Sequence, residues 1–222
     1  MSFCVAIDGP AGAGKSTIAK KVAMRMNLVY VDTGAMYRAM ALYMIRENIS
    51  PDDLEEINRR CEDANITIRY ENGMQIVYLN EEDVSNYLRS EEVGNMASIS
   101  STQTAVRRKL VNLQKELAKT TDVIMDGRDI GTCVLPNADV KIYLTAGSRV
   151  RAIRRFDELQ EKGEVCDLES IERDIIERDM RDMTRKESPL KQADDAILVD
   201  SSDMTIDEVV EIIIKICKKG RG

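Results

Sequence analysis

Histidine is absent from all 222 residues of this chain, which removes Ser-His-Asp and Cys-His nucleophile pairs and every histidine metal site at once. Five cysteines are present, Cys4, Cys61, Cys133, Cys166 and Cys217. They are odd in number, scattered, and without a Cys-x-x-Cys pair, so neither a disulfide framework nor a zinc site is indicated and reduced, cytosolic thiols are expected. No basic stretch followed by an apolar segment opens the chain, and no apolar run is long enough to cross a bilayer. A cytoplasmic protein with no membrane partner is expected. Positive charge is also in deficit, 32 Lys and Arg against 39 Asp and Glu for a net charge of −7. That balance argues against a nucleic-acid polymer, whose binding rests on neutralising many phosphates. The length suffices to bury a core and suggests one domain over residues 1–222, with room for inserted subdomains.

What is present begins with "GPAGAGKST". Gly9, Pro10, Ala11, Gly12, Ala13, Gly14, Lys15, Ser16 and Thr17 follow directly on the short apolar run Phe3–Ile7. The fixed positions Gly9, Gly14, Lys15 and Ser16 satisfy G-x-x-x-x-G-K-[ST], a loop whose backbone N–H groups wrap nucleotide phosphates. Glycines reach angles that a Cβ forbids, the Lys15 ammonium meets the β- and γ-phosphates, and the Ser16 hydroxyl is a ligand for Mg²⁺. Ile18, Val22 and Met26 then recur at helical spacing, so the loop feeds a helix whose N-terminus adds favourable partial charge. A plain strand-turn-helix corner would need neither the lysine nor the hydroxyl. An ATP site is expected here.

Further along, the apolar runs Leu28–Val31, Val123–Met125, Val140–Leu144 and Ala196–Val199 alternate with helical periodicities, the pattern of an α/β fold with a parallel sheet covered on both faces. Ligands of such sheets sit beyond the carboxyl ends of the strands. The last run leads to a capping box at Thr205 through Glu208, and the face of Val209, Ile213 and Cys217 is expected to pack in the core. One stretch departs from the pattern. "NITIRYENGMQIVYL", residues 65–79, alternates on both sides of Asn72-Gly73, a hairpin signal. An antiparallel hairpin must lie outside the parallel sheet, flanked by a helix from Gly34 to about Asn48 and a later one with Val106, Leu110, Leu113 and Leu117 on one face.

Missing motifs narrow the class. There is no D-x-x-G or N-K-x-D to serve a regulatory GTPase, and "VIMD" runs into Gly127 rather than into a glutamate that would align water. Arginine and aspartate abound instead, among them Arg38, Arg107, Arg128, Asp129, Arg149, Arg151, Arg154, Arg155, Arg178, Arg181, Asp182 and Arg185. Phosphoryl transfer suits that inventory, because it is mostly positioning and charge neutralisation. In "ERDMRDMTRK" a solvated helix laced with i,i+4 ion pairs would give much the same string. "DGRDIG" is harder to assign to a turn alone, since a turn has no use for so many charges.

Taken together and in order, "IDGPAGAGKST", "VDTGAMYR", "DGRDIGT", "LQEKG" and "ERDMRDMTR" resemble the bacterial cytidylate kinases, P-loop enzymes that phosphorylate CMP and dCMP. The resemblance covers nearly the whole chain. It implies a P-loop core with a five-stranded parallel sheet, a CMP-binding insertion over residues 34–105 and a short lid over 148–165. By the same likeness Thr33 and Arg38 hold the acceptor phosphate, Ser98, Arg107 and Asp129 read the base, Arg128 and Arg185 bind phosphate, Arg178 and Asp182 meet the ribose, and Arg154 and Arg155 lie in the lid over ATP. A carboxylate accepting from the cytosine amine is a chemically apt pairing. Lys15, Arg128, Asp129 and Arg185 are the candidate catalytic groups and Ser16 the metal ligand. The implied reaction joins ATP, Mg²⁺ and a small nucleotide, CMP or dCMP, in a monomer. A uridylate-cytidylate or shikimate type of kinase, or a module that holds ATP without turnover, remain the alternatives.

Overall fold

The computed structural model describes residues 2–71 and 73–221. Five parallel strands form the main sheet: β1 (Cys4–Asp8), β2 (Val29–Asp32), β6 (Val123–Gly127), β7 (Val140–Thr145) and β8 (Ile197–Asp200), in the order β2-β6-β1-β7-β8. Each strand ends at or beyond a polar residue. Asp8 pairs with Gly127, Asp32 with Asp126, and Thr145 with Asp200, so the carboxyl edge of the sheet is a row of acids and hydroxyls. Apolar periodicity marks only the buried part of a strand, which is why the runs read from sequence stop a residue or two short.

Side chains of β1 alternate between two cores, as the period of two requires. Val5 and Ile7 join Ile18, Val22, Val209 and Ile213 on one face, packed by α1 (Lys15–Met26) and α8 (Ile206–Gly220). Ala6 points the other way, towards α2 (Thr33–Arg46), α4 (Glu91–Ser100) and α5 (Thr104–Ala118), whose Met36, Met40, Val93, Val106 and Leu110 are buried. The capping box of Thr205 and Glu208 starts α8, and Val209, Ile213 and Cys217 are buried under it as expected.

Between α2 and α5 the chain forms α3 (Leu54–Arg60) and then a separate three-stranded antiparallel sheet: β3 (Ile66–Glu71), β4 (Met74–Leu79) and β5 (Glu82–Asp83). Gly73 sits at φ +76°, suited to a two-residue turn; Asn72, the other half of the expected turn, lies outside the described residues. The third strand has no signal in the alternation, because it is two charged residues long. Ile66, Val77 and Leu79 bury against the α2 side of the core. Gln75 also grips the edge strand: its amide oxygen accepts from Asp32 N at 2.8 Å and its amide nitrogen donates to Asp32 O at 3.1 Å. The hairpin is thereby held beside the start of α2. After β7 come α6 (Ser148–Glu161) and α7 (Leu168–Thr184), packed on each other.

Candidate functional site: a phosphate loop facing an arginine cluster

The loop between β1 and α1 is shaped by close approach and by handedness. A Cβ at Gly9 would come within 1.9 Å of the Leu144 carbonyl oxygen, and Gly12 and Gly14 lie at φ +74° and +83°. Gly14 is the N-cap, so Lys15 opens the helix and is buried beneath the loop, where its Nζ donates to Pro10 O at 2.7 Å. Burial, and after it the positive charge of Arg128, pushes the Lys15 ammonium well below the usual lysine range. Ser16 Oγ donates to Asp126 Oδ2 and Tyr30 OH to Asp126 Oδ1, both at 2.8 Å. Burial and the neighbouring Asp32 push Asp126 up to about 6, against the opposing pull of Lys15 and the two hydroxyls. Asp8 accepts from Ile130 N at 2.8 Å and Gly131 N at 2.7 Å, which anchors the "DGRDIG" loop to the central strand; burial raises it, too, to about 6.

That loop carries Arg128 and Asp129 towards α5 and α7. Arg107, buried on α5, donates through Nη2 to Asp129 Oδ2 and through Nη1 to Ser101 O at 3.1 Å, with its guanidinium 5.5 Å from the Tyr37 ring centre. Burial works against the Arg107 charge, but Tyr37 and Asp129 outweigh it and leave its pKa raised. Arg185 Nη2 lies 3.7 Å from Asp129 Oδ1, and its Nη1 is 3.5 Å from Asp182 Oδ1. Arg128 Nε donates to Asp182 Oδ2 at 2.9 Å. Burial opposes ionisation of Asp182, yet Arg128 above all holds it below the ordinary aspartate range.

Positive charge exceeds its partners here. Arg178 forms no ion pair among the described residues and buries an unmatched Nε; burial, then Arg128, brings it down to about 10. Arg185 Nη2 and Arg107 Nε are likewise buried without a hydrogen-bond partner. Arg38, on the α2 face near Arg178, has no ion pair among the described residues. A dianionic phosphate monoester would supply the acceptors these donors lack.

Most residues singled out from the sequence converge on this edge. Thr33, at the start of α2, donates from Oγ1 to Asp126 O at 2.7 Å, and the Asp32 side chain caps the same helix on Ala35 N at 3.0 Å. Ser98 lies in the last turn of α4, where its carbonyl accepts from Ser101 Oγ at 3.0 Å. The two arginines expected in the lid have other partners: Arg154 donates to Ser201 O at 2.6 Å, and half-exposed Arg155 pairs with Glu158 at 2.9 Å. The arginine of α6 that reaches the phosphate loop is Arg151, which meets Ala11 and Asp179. Asp8, Asp126, Tyr30 and Asp179 escaped a reading that weighted arginines. Each strand-terminal aspartate was visible as an acid ending an apolar run, whereas a tyrosine within a strand and one acid among many on a charged helix carry no local mark. Arg128 is braced by Asp182.

The Ser16 hydroxyl and Asp126 carboxylate together offer hard oxygen donors for a divalent ion, and no larger cluster of acids surrounds them among the described residues. This fits Mg²⁺, which takes one or two protein oxygens and completes its shell with phosphate and water.

Comparison with known proteins agrees in family and in fold. The family model described as Cytidylate kinase matches residues 5–219. Curated proteins named Cytidylate kinase from Lactobacillus johnsonii and Caldicellulosiruptor bescii are 50% and 48% identical over 97% of this chain, spanning 94% and 95% of their own lengths. One from Desulforamulus reducens is 49% identical over 98% of both chains. Among solved structures, a gluconokinase from Sinorhizobium meliloti aligns at 10% identity with a TM-score of 0.51, covering 98% of this chain and 92% of its own. A shikimate kinase from Bacteroides thetaiotaomicron aligns at 14% identity and a TM-score of 0.50, covering 97% and 98%. At such identities these two show a shared fold alone.

Proposed function

The chain belongs to the cytidylate kinase family and is an ATP-dependent CMP kinase, and on that premise we propose how its site divides the work. The loop over residues 9–17 holds ATP, with Lys15 on the transferring phosphoryl group and Mg²⁺ on Ser16, beside Asp126. The insertion over residues 34–105 and the loop after β6 hold the acceptor. Thr33, Arg38, Arg128 and Arg185 take its phosphate, Arg178 and Asp182 its sugar, and Ser98, Arg107 and Asp129 its base. Residues 148–165 form a lid that carries Arg154 and Arg155 over ATP, one of which leaves its resting contact with Ser201 or Glu158 for the donor phosphates when the lid closes. dCMP is accepted as well as CMP.

The chemistry asks little of any nucleophilic side chain. A phosphate monoester is largely ionised at neutral pH, so its oxygen attacks the γ-phosphorus in line without a general base. The bond to the β-phosphate oxygen breaks as the new one forms, and charge spreads over the transferred group, where Lys15 and the arginines stabilise it. Bound Mg²⁺ would neutralise charge on the donor phosphates. One observation carries the assignment: Asp126, at the end of β6, takes Ser16 of the phosphate loop on its carboxylate and Thr33 of α2 on its carbonyl, and the chain runs on from it into Arg128, so donor and acceptor groups flank one strand end. We take the protein to work as a cytoplasmic monomer; no helix among the described residues is long and apolar enough to cross a membrane. The test is ADP formation with a panel of acceptors. Turnover with CMP and dCMP alone is expected, turnover with UMP or shikimate at comparable rate would redirect the acceptor assignment, and no turnover would indicate a non-catalytic ATP-binding module.

A further inference from the structure

The phosphate loop is gripped from outside by two side chains whose role the transfer chemistry does not use. Arg151, in the first turn of α6, donates through Nη1 to Ala11 O at 2.8 Å and to Asp179 Oδ2 at 2.6 Å, while its Nε donates to Ala146 O at 2.8 Å. Asp179, on α7, accepts from Ala11 N at 3.2 Å through its other oxygen. Both main-chain groups of one loop residue are thus taken by an ion pair formed between two helices. Arg151 is 6% and Asp179 8% exposed, and a Cβ at Gly12 would lie 3.3 Å from Arg151 Cβ, so the arginine stem also backs the next residue of the loop.

Stability alone is a poor reason for this arrangement. A buried ion pair loses hydration that its mutual attraction barely restores, and apolar replacements of such pairs are often neutral or stabilising. What the pair does supply is a fixed position for the Ala11 peptide. It sits on the same stretch of α7 as Arg178 and Asp182, one residue after the first and three before the second, so the helix that faces the arginine cluster with one side holds the phosphate loop with another.

We propose that Arg151 and Asp179 are positioning residues that hold the phosphate loop in its ATP-binding shape through the Ala11 peptide, and so make donor affinity depend on how α6 and α7 are seated. This rests on the assignment of ATP to residues 9–17. Arg151→Lys keeps the charge but cannot span Ala146, Ala11 and Asp179 at once. It is expected to weaken binding of AMP-PNP with Mg²⁺ at least tenfold and to raise KM for ATP in proportion, with CMP affinity and the unliganded melting temperature nearly unchanged. Arg151→Met/Asp179→Asn removes both charges without stranding either, so it should fold with a melting temperature close to the parent and still bind AMP-PNP at least tenfold more weakly. A brace without a positioning role would lower melting temperature and weaken both nucleotides alike. That result, or AMP-PNP affinity within twofold of the parent in both variants, would overturn the proposal. Lys15→Ala measured alongside separates the two levels: if it too binds AMP-PNP normally, the loop is not the ATP site and the positioning role falls with it, whereas loss in Lys15→Ala alone refutes only the role of Arg151 and Asp179.

Discussion

The phosphate loop and the arginine cluster share one edge of the sheet but treat their polar groups in opposite ways. In the loop each functional group already has a local partner: Lys15 has Pro10 O, Ser16 has Asp126, and Ala11 has Arg151 and Asp179. Across the edge Arg107, Arg128 and Arg185 share only Asp129 and Asp182, while Arg38 and Arg178 have no carboxylate partner among the described residues. A loop satisfied by its own scaffold is rigid before ligand arrives. A cluster with surplus buried guanidinium carries a standing electrostatic cost that a dianion relieves, which spends stability on affinity.

The contrast is most severely tested at Lys15. Lys15→Ala should lower kcat by about 10³-fold, the worth of a well-placed charge on a transferring group, while circular dichroism stays native. Near-normal turnover in the folded variant would end the donor assignment.

Asp129 sharpens the other side. Asp129→Ala strands the buried Arg107 charge and should cost roughly 3–5 kcal/mol in urea unfolding. Asp129→Asn keeps the shape and isolates recognition: kcat/KM for CMP should fall by about 1–3 kcal/mol with UMP unchanged or improved, since a carboxylate accepts from the cytosine amine and repels the uracil carbonyl. An equal loss on both pyrimidines would remove the base-reading role.

Asp8 tests the rigid half through pH. Its folded pKa, about 6, lies above the ordinary 3.8, so the folded state binds the extra proton and its contribution to stability falls as pH rises between those values. The unfolding free energy of the parent relative to Asp8→Asn should therefore drop by up to about 3 kcal/mol from pH 3.5 to pH 6.5. A flat or rising difference would mean that the bonds from the Ile130 and Gly131 amides offset burial at this carboxylate. The smallest effect is expected at Arg178. Arg178→Met removes an unpaired, burial-depressed cation, so unliganded stability should hold or rise by about 1–2 kcal/mol while CMP affinity falls. Marked destabilisation would show that the arginine is structural.

The two halves also differed in how legible they were. The phosphate loop is contiguous, so Gly9 through Thr17 could be read from spacing and chemistry, as could the parallel strands, the hairpin and the capping box that starts α8. The arginine cluster is assembled from α2, α4, α5, α7 and the loop after β6, and no local pattern says that Arg107 will meet Asp129 across 22 residues; only likeness to a family linked them. Arg151 and Asp179 were hidden for a further reason. On charged helices a buried ion pair and a solvated one use the same letters, and only packing of α6 on α7 separates Arg151, which is buried, from Arg155, which is half-exposed.

Separate binding measurements on Lys15→Ala test the division of the site most directly, because they ask whether the two halves are two sites. Calorimetric titration should show AMP-PNP with Mg²⁺ binding weakened by two orders of magnitude or more and CMP binding kept within about threefold of the parent. Parallel loss of both nucleotides, or loss of CMP alone, would contradict the account.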